Sequence, residues 1–116
     1  MIKIGTKLNG ADNTGAQILQ CIGIPKSKKW ASIGDVISVS VKKAKSPLKG
    51  KVKLAIVVRQ KKEKRRKDGS YISFTDNAAC LINAENKPEG TRVKGPIGQE
   101  VREKIPALGN IAALIY

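Results

Sequence analysis

Apolar and polar positions alternate over much of this chain, at the period of two that a half-buried strand requires. From Ile37 the alternation is clean: Ile37, Val39 and Val41 fall on one face, Ser38 and Ser40 on the other. Ile18-Leu19-Gln20-Cys21-Ile22-Gly23-Ile24 predicts an earlier strand, and Ile2 and Ile4 around Lys3 a short one near the start. Ala55-Ile56-Val57-Val58 is an unbroken apolar run with the length and β-branched content of a buried strand. Ile72 and Phe74, set between Tyr71, Ser73 and Thr75, predict a strand returning with those two side chains inward, and Cys80-Leu81-Ile82 predicts another buried strand.

Turn chemistry separates these runs. Leu8 to Ala16 is rich in Asn, Asp and Gly and reads as a turn between strands. Its Gly10 and Gly15 lack the lysine and hydroxyl residue that complete a phosphate-binding loop. Ser46-Pro47 stops the strand that begins near Val36, and Asp68-Gly69 is a hairpin turn because both residues tolerate positive φ. Helix-forming sequence comes late, in Gln99-Glu100-Val101-Arg102-Glu103-Lys104, and Pro106 ends or interrupts it. Ile111 to Ile115 is an apolar tail expected to pack back on the sheet. Short, closely spaced strands predict a mainly β fold, a small barrel, with 1–116 as one domain and 98–116 as a C-terminal helical segment.

Charge narrows the function. In 116 residues, 23 Lys and Arg face 9 Asp and Glu, a formal net charge of +14. So positive a small domain attracts polyphosphate, whose counterions are released on binding. No apolar run approaches a membrane span, and no long basic amphipathic helix suggests a membrane surface. Aromatics make up only 3%, which favours reading phosphate and shape over base stacking and weighs against the alternative of a free-standing β-barrel that binds single-stranded nucleic acid. Trp30, beside Lys26, Lys28 and Lys29, suits a base or sugar and a sheet-edge cap equally well. The absence of histidine removes the usual proton shuttle near neutrality and deprives Cys21 and Cys80 of an activating or metal-binding partner. Both cysteines sit in apolar strand sequence and read as free buried thiols. Asp12, Asp35, Asp68 and Asp76 occupy turn positions that structure explains, so no catalysis, metal or cofactor is expected. Strand-like sequence starts almost at once, so no signal or transit peptide is expected.

The densest charge follows the apolar run. Arg59, Lys61, Lys62, Lys64, Arg65, Arg66 and Lys67 crowd together with Glu63 as the one acid among them. These cations repel one another, so the segment is either a solvated hairpin end or a surface awaiting an outside anion.

Around this stretch the chain resembles the L-fourteen family of large-ribosomal-subunit proteins. Ala55 and the aliphatics Ile56, Val57 and Val58 match the start of the family signature. Asp68-Gly69 follows at the expected gap, and Phe74, Asn77 and Leu81 fall on their positions. Cys80 replaces the usual Val. Leu8-Asn9 with Ala11 to Ala16, Gly34-Asp35-Val36-Ile37, Gly90-Thr91-Arg92-Val93 with Gly95-Pro96, and Glu100-Val101-Arg102 extend the likeness along the whole chain. The resemblance implies a five-stranded β-barrel with a protruding β-ribbon and a short C-terminal helical region. It implies a non-enzymatic protein that binds large-subunit rRNA, bridges to small-subunit rRNA and touches a neighbouring large-subunit protein. On this reading Lys42, Lys43, Lys45, Lys49, Lys51 and Lys53 join Arg59, Lys61, Lys62, Lys64, Arg65, Arg66 and Lys67 in neutralising rRNA phosphates. Reversing Arg65 and Arg66 to Glu is then expected to leave the barrel folded and block incorporation into the subunit. Thr91 and Arg92, with Lys94 and Arg102, form the candidate bridge or silencing-factor surface. Lys94 stands where an aromatic is common, and no lysine follows Lys104. These departures and the lysine-rich surface suggest a diverged bacterial-type protein of an organelle, with the mitochondrial matrix preferred over a bacterial cytoplasm or plastid.

Overall fold

The structure is a computed structural model and describes residues 2–24, 29–45 and 50–116. Lys49, the Ser46-Pro47 stop and most of the basic loop before Trp30 lie outside the described residues. Strands β1 (Lys7–Gly10), β2 (Ala16–Gly23), β3 (Val36–Ala44) and β4 (Val52–Arg59) come first. A ribbon, β5 (Lys64–Arg65) and β6 (Tyr71–Ile72), precedes β7 (Ala78–Ile82) and β8 (Val93–Ile97). Helices α1 (Gln99–Lys104) and α2 (Pro106–Ile111) lead to β9 (Ala112–Ile115). A closed barrel forms in the order β1-β2-β3-β4-β7, its seam closed by parallel pairing of β1 with β7. Closure leaves these strands no unpaired edge.

The two-sided burial of β4 and β7 explains their unbroken apolar sequence. Ala55, Val57, Ala79 and Leu81 point into the barrel with Leu8, Leu19, Cys21, Ile37, Val39 and Val41. Ile56, Val58, Ala78, Cys80 and Ile82 point the other way, into a second core. That core is roofed by Val93, Ile97, Val101, Ile105 and Leu108 of the C-terminal segment. Alternation thus holds in both strands, with both faces covered. Ile72 and Phe74 pack partly buried on the second core, and Ile111, Ala112 and Ile115 do the same.

Three differences from the sequence reading have local causes. The first strand is Lys7–Gly10, later than the Ile2-Ile4 alternation suggested, with part of the expected turn inside it. Ile2 instead forms a lone bridge to Ala31, two backbone hydrogen bonds of 2.7 Å each, while Ile4 is exposed. Pro106 interrupts the helical segment as expected but also opens a second helix, because a proline at the first helical position loses no helix hydrogen bond. The apolar tail becomes a strand, β9, paired parallel to β8. Such a long-range pairing has no signature in local periodicity.

Candidate nucleic-acid interface

Strand β4 ends in a bulge, where register shifts between Val57 and Arg59. The bulge aims Arg59 at protein rather than solvent. Its Nε and Nη2 donate to the two carboxylate oxygens of Asp76 at 2.9 and 3.2 Å. Its Nη1 donates to the carbonyls of Lys94 at 2.7 Å and Pro96 at 3.1 Å. Gly95, at φ +78, is open to this approach: a Cβ there would stand 2.6 Å from Nη1. Burial alone would raise the Asp76 carboxyl, but hydrogen bonds from Arg59 and Asn9 and the guanidinium charge hold it below the ordinary carboxylate range. Arg59, expected among the phosphate ligands, has four of its five N–H donors engaged inside the protein, two by Asp76 and two by carbonyls of β8.

Gln60 carries the same logic inward. It continues the alternation of Ile56 and Val58 and is 1% exposed. Its Oε1 accepts from the Ile33 N–H at 3.1 Å, and its Nε2 donates to the Lys62 carbonyl at 2.7 Å. Gln60 is not among the residues expected from the sequence, although a polar residue in phase with a buried apolar face is a recognisable signal.

The ribbon divides the remaining cations by strand alternation. Lys64 and Arg66 turn toward the body of the protein. Lys64 Nζ donates to the Ile33 carbonyl at 3.0 Å and lies 3.5 Å from Glu100 Oε2. Arg66 Nη2 donates to Glu100 Oε1 at 3.0 Å, Nε to Oε2 at 3.4 Å, and Nη1 to the Tyr116 main-chain oxygen at 2.6 Å. Burial pulls the Glu100 carboxyl upward, yet its own backbone N–H, Arg66 and the Lys64 charge outweigh that and hold it low. Gly34, at φ +92, sits against α1 here, where a Cβ would meet that of Glu100 at 3.1 Å. Arg65 and Lys67 are exposed between these anchors, as are Lys61 and Lys62 before them. None of these four pairs with an acid among the described residues. Asp68 caps the hairpin: its Oδ1 accepts from Ser70 Oγ at 2.6 Å and Ser70 N–H at 2.9 Å, which lowers its carboxyl.

The other cations fall in two places. Lys42, Lys43 and Lys45 are exposed at the end of β3, and Lys51 is exposed before β4. Lys53 is half-buried and reaches Glu89 at 3.3 Å. At a third corner, Asn13 Oδ1 accepts from the N–H groups of Thr91 and Arg92 at 2.8 and 3.2 Å, while its Nδ2 donates to Thr91 Oγ1 at 2.8 Å. Exposed Arg92 and Lys94 flank this grip, and Lys94 shares a shallow recess with Lys45 and Asn13. Arg102 is exposed on α1, and its stem lies against Gly109, where a Cβ would approach within 2.6 Å.

The remaining reactive groups are structural. Asp12 is buried, and its oxygens accept from Leu81 N–H at 2.9 Å and Thr14 Oγ1 at 2.7 Å. Cys21 and Cys80 are free and buried, and burial raises both thiols above their ordinary value.

A closed β-barrel with its cations sorted onto exposed corners has the build of a polyanion-binding protein. Residues 1–115 match the family model of Ribosomal protein L14p/L23e. The large ribosomal subunit protein uL14 of Aquifex aeolicus is 54% identical, over 90% of this chain and 89% of its own length. Its counterpart in Aquifex pyrophilus is 53% identical over the same shares. That of the archaeon Methanoregula boonei is 43% identical over 96% of this chain and 89% of its own. The chain belongs to the L14p/L23e family. It is a structural component of the ribosome and not an enzyme.

Proposed function

We propose that this protein is built into the large ribosomal subunit by binding large-subunit rRNA through its basic ribbon and loops. The division of the ribbon carries the reading: Lys64 and Arg66 hold it to the body, while Lys61, Lys62, Arg65 and Lys67 stand exposed without acidic partners. A fixed strand presenting unneutralised cations offers phosphate contacts at little further ordering cost. Lys42, Lys43, Lys45 and Lys51 supply a second group of contacts at the far end of β3 and β4. Such contacts set position and orientation, and specificity follows from the shape of the folded RNA.

The corner at Thr91, Arg92 and Lys94 is the proposed place for bridges to small-subunit rRNA or for a silencing factor, supported by the Asn13 grip that fixes its backbone. Arg102 would extend that surface along α1. A neighbouring large-subunit protein is a further proposed contact. The relatives are bacterial and archaeal, so they lend no support to the mitochondrial compartment and favour ribosomes of a prokaryotic cytoplasm.

The test is a Lys61→Gln, Arg65→Gln, Lys67→Gln variant. It is expected to keep its fold and to lower the salt slope of rRNA binding by about 2–3, from about 0.7–0.9 per lost phosphate contact. In cells it should compete poorly with the parent for incorporation into large subunits. An unchanged salt slope with full incorporation would remove the ribbon from the interface.

A further inference from the structure

We propose that Trp30 is a stacking platform for one unpaired base of the bound RNA, an inference that rests on the rRNA-binding reading above. Trp30 is the only tryptophan in the chain, and it remains 43% exposed. Its indole N–H makes no hydrogen bond among the described residues. The ring lines a shallow open recess with Lys29, Ser32 and Asp35.

The backbone that follows the indole is held by a series of hydrogen bonds. Ala31 exchanges two hydrogen bonds of 2.7 Å with Ile2. Asp35 Oδ2 accepts from the Ser32 N–H at 2.8 Å and the Ser32 hydroxyl at 3.3 Å, closing the turn that follows. Both peptide groups of Ile33 are bound by the chain around the ribbon, its N–H by Gln60 and its carbonyl by Lys64 Nζ. Lys64, turned away from solvent, thus couples the Trp30 turn to the ribbon whose opposite face carries Arg65 and Lys67. Stack and phosphate contacts would meet the RNA as one rigid unit.

The occupant follows from the lining. An apolar protein segment would find one hydrophobic face and then have to dehydrate Lys29, Ser32 and Asp35. A nucleobase matches both parts, with a π-face for the indole and polar edges for its rim, and its phosphate falls to the exposed Lys29. Because every base has a π-face, this contact adds affinity without choosing sequence, in keeping with recognition by shape.

The lone tryptophan makes the test direct. The full chain is titrated with purified large-subunit rRNA from its own ribosomes, following indole fluorescence corrected for RNA absorption and, separately, retention of labelled RNA. Stacking should quench and shift the emission at the same midpoint as retention. Trp30→Ala should weaken binding about 5- to 150-fold without changing the salt slope, and Trp30→Phe should restore most of the loss. In subunits assembled with Trp30→Ala, chemical probing should find one base newly reactive. Retained RNA with unaltered emission, or equal affinity of the alanine variant, would overturn the stack and leave the phosphate reading intact. Absence of any RNA retention would overturn both.

Discussion

Arg65 and Arg66 are neighbours in sequence with opposite expected behaviour on substitution. Arg66 donates three hydrogen bonds, two to Glu100 and one to the Tyr116 main-chain oxygen, and its side chain is 22% exposed. A charge-assisted bond contributes about 1.5–3 kcal/mol, and the geometry here is uneven and partly solvated, so Arg66→Gln should cost about 1–2 kcal/mol. For a domain of this size that lowers Tm by about 4–8 °C. Arg65→Gln removes no intramolecular partner and should stay within about 0.5 kcal/mol, while reducing the salt slope of rRNA binding by about 0.7–0.9. Thermal unfolding of both variants, with a double-mutant cycle of Arg66→Gln against Glu100→Gln, separates the roles, and a coupling of about 1 kcal/mol is expected. Equal Tm losses for the two arginines, or no coupling to Glu100, would refute the alternation of the ribbon. The same contacts correct the expectation that reversing Arg65 and Arg66 together spares the fold, since Arg66→Glu would set a carboxylate against Glu100.

Acid should release two internal ties. Asp76 and Glu100 are both held below their ordinary values of 3.8 and 4.5. Their stabilisation is therefore complete above those values and lost as pH falls through the lower folded ones. Unfolding midpoints should be level down to about pH 5 and drop below about pH 4, and Asp76→Asn with Glu100→Gln should flatten that drop. Gln60→Ala strands the buried Ile33 N–H and should cost about 1–3 kcal/mol, with faster amide exchange at Ile33 as its signature; unchanged exchange would deny Gln60 its role.

The barrel was readable because its cause is local. Ile37, Val39 and Val41 alternate with serines because one face of β3 is buried, and the unbroken runs in β4 and β7 report two buried faces. The pairing of β8 with β9 was not readable, since it depends on two short helices folding the tail back. The candidate site divides the same way. Composition and the 59–67 run pointed to the cationic surface, but a count of charges cannot tell a bound cation from a free one. Arg59 differs from Lys61 only because a bulge turns it toward Asp76, and Arg66 from Arg65 only because the strand alternates and α1 supplies Glu100. Asn13 reaches Thr91 across 78 residues, a partnership that spacing could not suggest.

Lysine reactivity before and after assembly tests the central claim most directly. The free protein and intact large subunits are acetylated briefly, and each lysine is scored by mass spectrometry. In the free protein Lys61, Lys62 and Lys67 should react quickly and Lys64, bonded to Ile33 and Glu100, slowly. In large subunits the first three should become protected, with Lys64 slow throughout. If Lys61, Lys62 and Lys67 stay fully reactive inside the assembled subunit, the exposed face of the ribbon does not meet rRNA, and the account fails at its centre.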